Sequence, residues 1–330
     1  MNLTKLAKLF LNQPKFRSIQ AQKLIYKELI DDWNNASVFS LNLRKELNSS
    51  FSLNIEHELY ISKDKKSGKA VIRLEDGSLI ETALMVHGDG RNTACISSQV
   101  GCPLACKFCS SGTFFKRNLN VDEILVQALL WARYLKEKKL GRLSNIVFMG
   151  SGEPFLNYDN VFSAISYLNN PEYFDISYRR ISISTIGIIP GIRKMANESN
   201  KPNLAISLHF IDDKIRSIMM PGAKKYPLIK LFEAVDYYIE QTNRKVMFEY
   251  MLIKGINDSV KDAEKLAFLM KKHLYAVNLI KHNKTGKWET PDTEVINKFK
   301  KILRKNKIEV VERYRFNQDV IGACGQLVSS

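Results

Sequence analysis

The stretch of sequence that decides the fold is Gly101-Cys102-Pro103-Leu104-Ala105-Cys106-Lys107-Phe108-Cys109, whose cysteines are spaced C-x3-C-x2-C. Three thiolates so close together can hold a cubane iron–sulfur cluster and leave one iron without a protein ligand, and such an iron is a binding site. The alternatives are a zinc site and three unrelated buried thiols. A zinc site usually has a fourth cysteine or histidine nearby, and His87 is distant in the sequence. The spacing therefore favours the cluster.

Strands and helices alternate after about residue 90, in the region that holds the cysteine motif. The clearest helix, Val121-Leu135, follows Asn120, with Glu123 three residues later as a capping pair. Six βα units predict a parallel sheet with helices outside it, and roughly 240 residues could close most of a barrel. A doubly wound sheet is the alternative that periodicity leaves open. The six predicted strands are Thr93-Ser97, Asn145-Met149, Arg180-Thr185, Leu204-Leu208, Val246-Leu252 and Val277-Ile280.

The residues before this α/β region are predicted to form two smaller units. Residues 1–54 have apolar positions near helical spacing, which predicts a small helical accessory domain. Residues 55–90 alternate apolar and polar positions around turns at 65–69 and Asp76-Gly77, which predicts a connecting antiparallel sheet. Residues 91–330 then form the α/β core.

The composition is that of a globular protein with a strong excess of positive charge. Of 330 residues, 45% are hydrophobic and 25% charged, which excludes collagenous, disordered and membrane-embedded chains. Fifty Lys and Arg against 34 Asp and Glu give a formal net charge of +16, which favours a polyanionic partner. No stretch approaches the roughly 18 uninterrupted apolar residues of a membrane helix. Lys5, Lys8 and Lys15 interrupt the N-terminal apolar residues, so no signal-peptide core is expected and the predicted location is cytoplasmic.

Basic residues concentrate in the last predicted helix and in the connecting sheet. Such runs are often solvated faces, but in a protein of this net charge at least one is expected to contact phosphate. The residues are Lys298, Lys300, Lys301, Arg304, Lys305 and Lys307 in the helix, and Lys63, Lys65, Lys66 and Lys69 in the sheet.

The five cysteines do not form the pattern of a disulfide scaffold. Four lie within the fifteen residues from Cys95 to Cys109, and Cys324 is isolated near the C-terminus. A secreted disulfide-rich domain is shorter, denser in cysteine and usually even in its count. The thiols are therefore expected to be reduced and to take part in chemistry.

A second motif, Met149-Gly150-Ser151-Gly152-Glu153-Pro154, follows the second predicted strand. Glycines let the backbone approach a ligand closely, and a carboxylate can accept a hydrogen bond from an amine. Taken alone, the motif could be a strand-to-helix turn. Its position one βα unit after the cysteine loop, at the strand end where barrel ligands bind, makes it more specific.

The cysteine spacing resembles that of the radical S-adenosylmethionine (SAM) superfamily, in which the open iron chelates the amino and carboxylate groups of SAM. This resemblance covers roughly residues 92–285 and favours a partial (β/α)6 barrel over the doubly wound sheet. Narrower motifs are similar to those of the RlmN/Cfr family of radical SAM RNA adenine methyltransferases, and they span nearly the whole chain. These motifs are TACISSQVGC at 93–102, ISTIG at 183–187, SLH at 207–209, NLI at 278–280 and ACGQL at 323–327.

The family resemblance implies a way to methylate an sp2 carbon of adenine, which is a poor nucleophile toward SAM. By this analogy Cys324 takes a methyl group from one SAM, so each methyl transferred consumes two SAM molecules. The second SAM, bound to the [4Fe-4S] cluster, is split to a radical that removes hydrogen from the S-methyl group, and the methylene radical adds to the ring. Cys95 then attacks the sulfur of Cys324 and leaves a Cys95-Cys324 disulfide. Glu81 matches the family's proton-accepting carboxylate; taken alone, it would be interpreted as a solvated strand residue.

The resemblance also implies the ligand sets. The cluster falls on Cys102, Cys106 and Cys109. The SAM contacts follow the second, third, fourth and sixth predicted strands, so one pocket at the carboxyl face of the barrel can unite them. His209 could otherwise be a structural histidine at a strand end. The SAM positions are Gly152, Glu153, Ser184, Ser207, Leu208, His209 and Asn283.

The implied substrate is an unpaired or loop adenosine that leaves its stack to enter a pocket. The first expectation is carbon 2 of the peptidyl-transferase-centre adenosine of 23S rRNA, and some family members also modify tRNA. Carbon 8, the Cfr-type target linked to antibiotic resistance, is the nearest alternative, and the stretch 183–190 looks Cfr-like. Further alternatives are the same chemistry on another RNA and a non-catalytic RNA-binding protein with a structural metal. The family implies a flavodoxin-type electron donor, and a monomer is expected.

Three segments depart from the family pattern. Pro-Ile-Asn is replaced by Pro221-Gly222-Ala223, Pro-Trp-Asn-Pro by Lys281-His282-Asn283-Lys284, and a Gly-Asp-Asp-Ile-Asp-Ala pattern by residues 317–322. The residues assigned to the reaction are retained, whereas the residues around them in these three segments are changed. Because loops around a pocket select the substrate, these departures leave the nucleotide and the ring carbon open.

Overall fold

The computed structural model describes residues 6, 8–11, 13–282, 288–312 and 327. The helices are α1 (Lys15–Tyr26), α2 (Leu41–Ser50), α3 (Val121–Glu137), α4 (Tyr158–Asn169), α5 (Ile189–Ala196), α6 (Asp213–Met219), α7 (Leu228–Thr242), α8 (Val260–Leu269) and α9 (Thr293–Lys305). The strands are β1 (His57–Ile61), β2 (Ser67–Arg73), β3 (Leu79–Val86), β4 (Asn92–Cys95), β5 (Gln99–Gly101), β6 (Phe115–Asn118), β7 (Asn145–Phe148), β8 (Ile181–Thr185), β9 (Asn203–Ser207), β10 (Val246–Leu252), β11 (Tyr275–Lys281) and β12 (Glu309–Glu312).

One sheet of ten strands organises the molecule, in the order β1-β2-β3-β4-β7-β8-β9-β10-β11-β12. The strands from β4 to β12 in this sheet are all parallel and follow one another in chain order without a reversal. Right-handed crossovers between such strands place every connecting helix on the same face, and the sheet then curls toward a barrel. A doubly wound sheet would reverse its order at a switch point. The predicted partial barrel is confirmed.

The six predicted parallel strands are all present, with ends that differ from the predictions by at most two residues. Helix α3 begins where its capping pair indicates: the Glu123 amide donates to Asn120 Oδ1 at 2.9 Å and the Asn120 amide to Glu123 Oε2 at 2.9 Å. The sheet has one parallel strand more than the six predicted. This strand, β12, lies beside β11 at the edge of the sheet.

The antiparallel strands β1, β2 and β3 are continuous with the barrel because β3 pairs with β4, with Ala83 opposite Cys95. The N-terminal helices pack against the same body. Arg133 of α3 donates hydrogen bonds to the carbonyls of Leu53 and Ile30. Buried apolar residues of α1, of α2 and of the barrel strands belong to one continuous core. In the described part of the chain no helix has the length and apolar character needed to cross a bilayer.

Candidate functional site

An open cavity lies at the carboxyl ends of the parallel strands. This is the end at which barrel enzymes bind their ligands. Eight of the predicted cluster and SAM positions line it. They are Cys102, Cys106, Cys109, Gly152, Glu153, Ser184, Ser207 and His209.

The three cysteines lie on the loop between β5 and β6. Gly101 has a φ of +76°, and a Cβ there would lie 2.1 Å from the carbonyl oxygen of Phe114, so a glycine is required where the hairpin closes. The Cys102 amide donates to that same carbonyl at 2.8 Å, and the Cys109 amide donates to the Cys106 carbonyl at 3.1 Å. The hairpin thus presents three thiols to one wall of the cavity.

Burial raises the pKa of the Cys102 thiol to about 12, and that of the Cys106 thiol well above its usual range. Backbone N–H groups of Leu104 and Gly152 act in the opposite sense on Cys102, because they donate to its sulfur. Thiolates at these positions consequently require positive charge, which metal ions supply.

The donor set fits an iron–sulfur cluster. Among the described residues, no three His, Cys, Asp or Glu side chains lie close enough together to hold one metal ion. The fit depends on two observations. One loop directs three soft sulfur donors into the same cavity, and backbone N–H groups donate to sulfur. Hydrogen bonds of this kind tune the reduction potential of iron–sulfur clusters. Cys102, Cys106 and Cys109 would hold the cluster.

Glu153 is fully enclosed in the cavity wall after β7. One carboxylate oxygen accepts from the Phe155 amide at 3.0 Å and the other from the Ile186 amide at 2.9 Å. Burial raises the pKa of this carboxyl to about 7, although these hydrogen bonds act in the opposite direction. Gly152 precedes it with a φ of +105°, and a Cβ there would lie 2.6 Å from Gln99 Cβ. The Gly-Glu pair therefore holds a carboxylate beside the cysteine loop.

Ser184, Ser207 and Glu249 form a polar group on three adjacent strands, in which Ser184 and Glu249 are buried and Ser207 is half-buried. The two hydroxyl oxygens are 3.0 Å apart. Glu249 Oε2 accepts from Ser184 at 2.7 Å and from Ser207 at 3.3 Å. The sequence motifs include the two serines but not Glu249. Its only signal in the sequence is a single carboxylate inside the apolar strand β10.

His209 is buried and has a left-handed backbone, with φ of 53°. Its Nδ1 accepts from the Met251 amide at 3.2 Å, and Asn257 donates to its carbonyl at 2.8 Å. Burial, with the charge of Arg216, lowers the pKa of the imidazole to about 3, so the ring is neutral at physiological pH. Leu208 is buried and is not among the residues that line the cavity.

Cys95 lies at the end of β4 and is buried against Ala83 and Leu327. Leu327 also lines the cavity, and its carbonyl accepts from Ser111 Oγ at 2.6 Å. Ser111 is two residues after Cys109, so this contact joins the C-terminal segment to the cysteine loop. Cys324 and Asn283, which the sequence analysis assigns to methyl transfer and SAM binding, lie outside the described residues.

Glu81 is buried on β3 and forms an ion pair with Lys69 of β2 at 2.8 Å. Strand alternation places Glu81 and Ala83 on the same face of the sheet, and Ala83 pairs with Cys95. Glu81 thus lies on the same face of the sheet as Cys95, and the sequence alone would have assigned it to solvent. Lys69, which the charge pattern groups with phosphate-binding residues, is a partner of this carboxylate.

Comparisons with known proteins agree with this geometry. The radical SAM superfamily matches residues 96–267. A probable dual-specificity RNA methyltransferase RlmN from Dictyoglomus turgidum is 42% identical over 318 residues, covering 96% of this chain and 91% of the relative. The chain belongs to the RlmN/Cfr family of radical SAM RNA methyltransferases. Another RlmN relative, from Clostridium novyi, is 38% identical over 321 residues, covering 96% of this chain and 92% of its own length.

A solved structure shows the same fold over nearly the whole chain. The crystal structure of a radical SAM methyltransferase from Sphaerobacter thermophilus superposes with a TM-score of 0.93 at 36% identity, covering 99% of this chain and 97% of the other. As a member of the RlmN/Cfr family, the protein is a SAM-dependent RNA methyltransferase, and its superfamily uses SAM and a [4Fe-4S] cluster.

Proposed function

We propose that this enzyme methylates carbon 2 of an adenosine in 23S rRNA, with tRNA as a second substrate, through an S-methylcysteine formed on Cys324. The observation that carries the proposal is the position of Leu327, which lies in the cavity against Cys95. Cys324 is three residues away along the chain, a span of at most about 11 Å. The covalent chain therefore keeps the proposed methyl carrier near the thiol proposed to release it.

The proposed roles of the chain's own residues follow in order. The Cys324 thiolate attacks the methyl carbon of SAM, displaces S-adenosylhomocysteine and becomes S-methylated. After the methylene carbon has bonded to the ring, the Cys95 thiolate attacks the sulfur of Cys324. The carbon–sulfur bond breaks, the carbon keeps the bonding pair and takes a proton, and a methyl group results. The ring adduct is a radical, so it also has to lose one electron, which the oxidised cluster would take back. Glu81, on the same face of the sheet as Cys95, accepts the proton that leaves the ring carbon.

The cavity residues are proposed to bind SAM and to hold the cluster. Cys102, Cys106 and Cys109 would ligate the cluster, which supplies the electron that cleaves SAM. Glu153 accepts from the amino group of SAM. SAM contacts are proposed for Gly152, Ser184, Ser207, Leu208, His209 and Asn283.

The basic surface is proposed to bind RNA, with residues 1–54 as an accessory domain. Phe16 and Ile19 of α1 are 51% and 54% exposed, and Arg17 lies between them in the sequence, a combination suited to stacking and phosphate contact. On α9, Lys300 forms an ion pair with Glu312 at 2.6 Å. The other basic residues of α9 are stronger candidates for phosphate contact. The remaining proposals are a flavodoxin-type electron donor, a monomeric working unit and a cytoplasmic location.

The substrate can be tested by mass spectrometry of rRNA and tRNA from cells with and without the gene. The proposal expects 2-methyladenosine to disappear from 23S rRNA and from tRNA when the gene is removed. The relatives from Dictyoglomus turgidum and Clostridium novyi are described as dual-specificity RNA methyltransferases, which supports two substrates. Loss of 8-methyladenosine instead would assign the enzyme to carbon 8, and loss of neither would overturn the proposal.

The methyl carrier can be tested with two cysteine variants of the cluster-loaded enzyme. Cys324→Ala should abolish the product, and Cys95→Ala should accumulate a covalent adduct of protein and RNA, because the sulfur of Cys324 is no longer attacked. Full activity of Cys324→Ala would show that the carrier mechanism is wrong.

A further inference from the structure

Tyr60 of β1 is an exposed aromatic residue that the proposed reaction does not use. It is 43% exposed and lies on the edge strand of the ten-stranded sheet. Its hydroxyl donates to Glu58 Oε2 at 2.6 Å, and Lys69 Nζ lies 5.4 Å from the centroid of its ring. These two contacts hold the ring at the surface in a defined orientation.

The strand register places Tyr60 in one row with the thiol proposed to release the methyl carrier. Tyr60 pairs with Lys69, and Lys69 pairs with Ala83. Ala83 pairs in turn with Cys95. Residues directly opposite each other on neighbouring strands have their side chains on the same face of a sheet. Glu81, two residues before Ala83, shares this face, and its carboxylate is joined to the row by the ion pair with Lys69 at 2.8 Å.

The face that carries this row is open at the edge of the sheet. The other face is covered by helix α3, where the Trp131 indole donates to Thr82 Oγ1 at 3.1 Å. Along the row, Cys95 is buried, Lys69 is half-buried and Tyr60 is exposed. A chain molecule that reaches Cys95 can therefore continue along this face to the surface.

The turn between β1 and β2 adds positive charge at one end of this hairpin. Lys63, Lys65 and Lys66 are exposed. Asp64 lies among them, and its carboxylate accepts from Ser62 Oγ at 2.6 Å. Single-stranded nucleic acids are bound by aromatic rings that stack on bases, together with basic groups that contact phosphates, and the hairpin offers both.

We propose that Tyr60 is a stacking platform for the nucleotide next to the target adenosine, in single-stranded RNA that runs from the site over this sheet face. The target base has to reach Cys95 and Glu81, and neighbouring strands are about 4.8 Å apart, so β1 lies only roughly 14 Å from β4. Stacking of this kind is tolerant of sequence, because every base has a π face. The inference rests on the proposed roles of Cys95 and Glu81, and it does not depend on which ring carbon is methylated.

The test is a thermodynamic cycle on RNA affinity, measured by fluorescence anisotropy with cluster-loaded full-length protein at one fixed salt concentration. The probe is a stem-loop RNA that the wild-type enzyme methylates. Two further probes lack the base of the nucleotide before or after the target adenosine. Tyr60→Leu keeps an apolar side chain but removes the planar ring, and we expect it to bind the intact RNA roughly tenfold more weakly. Tyr60→Phe keeps the ring and should bind within about twofold of wild type.

The shortened probes decide whether the ring acts through a base. One of them should bind wild type as weakly as the intact RNA binds Tyr60→Leu, and it should bind Tyr60→Leu no more weakly than that. Losses that add at both positions would overturn the proposal, since the ring and the base would then act independently. Wild-type affinity of Tyr60→Leu for the intact RNA, or of wild type for both shortened probes, would overturn it as well.

Phe268 of α8 offers a matched control. It is 70% exposed, and Lys271 Nζ lies 5.3 Å from the centroid of its ring, but it is on a helix and not on the sheet face. Phe268→Leu should leave RNA affinity unchanged, and a loss equal to that of Tyr60→Leu would refute a specific platform. Because binding is measured without turnover, loss of a different methyladenosine or full activity of Cys324→Ala would contradict the proposed function and leave this result in place.

Discussion

At the residue scale, the ionisation of Glu153 is set by its burial. Its carboxylate accepts two amide hydrogen bonds, yet the loss of hydration dominates and raises the pKa to about 7. The ligand-free group therefore gains a proton as the pH falls through 7. The same cavity contains Glu249 within hydrogen-bond distance of Ser184 and Ser207.

SAM affinity should consequently depend on pH. The sulfonium and amino groups of SAM interact more favourably with the ionised carboxylate, so a proton on Glu153 competes with binding. We expect affinity to fall by up to about tenfold per pH unit below 7 and to level off above it. Equilibrium binding to the cluster-loaded protein between pH 6 and 8.5 measures this. Glu153→Gln should bind weakly at every pH, and a flat wild-type profile would contradict the assignment.

The ion pair between Lys69 and Glu81 gives a second prediction. Its side chains are only 14% and 11% exposed, so Lys69→Met removes the lysine from a largely enclosed carboxylate. We expect unfolding in urea to show a loss of about 1–3 kcal/mol, and methyl transfer to fall roughly tenfold as Glu81 loses its orientation. Lys69→Arg should recover most of both.

The control for this prediction is Lys23, which pairs with Glu172 at the same 2.8 Å but in an exposed position. Exposed pairs contribute little to stability, so Lys23→Met should change neither measurement. Equal effects of Lys23→Met and Lys69→Met would refute a special role for the enclosed pair.

At the element scale, the turn after α6 shapes the cysteine loop. A Cβ at Gly222, where the family pattern has isoleucine, would lie 2.5 Å from Leu104 Cδ2 and 3.1 Å from Leu104 Cα. Gly222→Ile should push the loop away from the turn and reduce the iron bound after reconstitution several-fold. Gly88→Ala is the control, because nothing lies within 4 Å of its added Cβ. Normal iron content in Gly222→Ile would show that the loop adapts at no cost.

The elements also show what pattern analysis can and cannot recover. The six predicted strands are present because buried parallel strands carry continuous apolar runs. Strand β12 has only four residues with a glutamate at each end, so it needs β11 as a partner to form. In α1 the apolar spacing correctly predicts a helix. Phe16 and Ile19 are more than half exposed while Leu24 and Ile25 are buried, because the docking surface decides which face is covered.

At the scale of the whole molecule, the fold brings together parts of the site that lie 216 residues apart in the sequence. Ser111 and Leu327 are joined by a hydrogen bond, and Leu327 packs on Cys95. Leu327→Asp should undock the C-terminal segment and remove most methyl transfer, while the iron content stays at the wild-type level. Leu140→Asp, at an exposed position, is the matched control and should retain activity. Full activity of Leu327→Asp would contradict the proposed docking of the carrier segment.

The sequence by itself determined the alternation of strands and helices, the cysteine motif and, through the motifs shared with the RlmN/Cfr family, the partial barrel. These depend on local periodicity and on residues that lie close together along the chain. Only the tertiary structure decided which distant side chains are enclosed together at the site. Glu249 lies 65 residues after Ser184, and Arg216 donates to Ile186 from 30 residues away. Whether a charged side chain is solvated or enclosed depends on which strands and helices meet around it. Local sequence does not contain that information, since burial and electrostatic partners arise from contacts between distant segments.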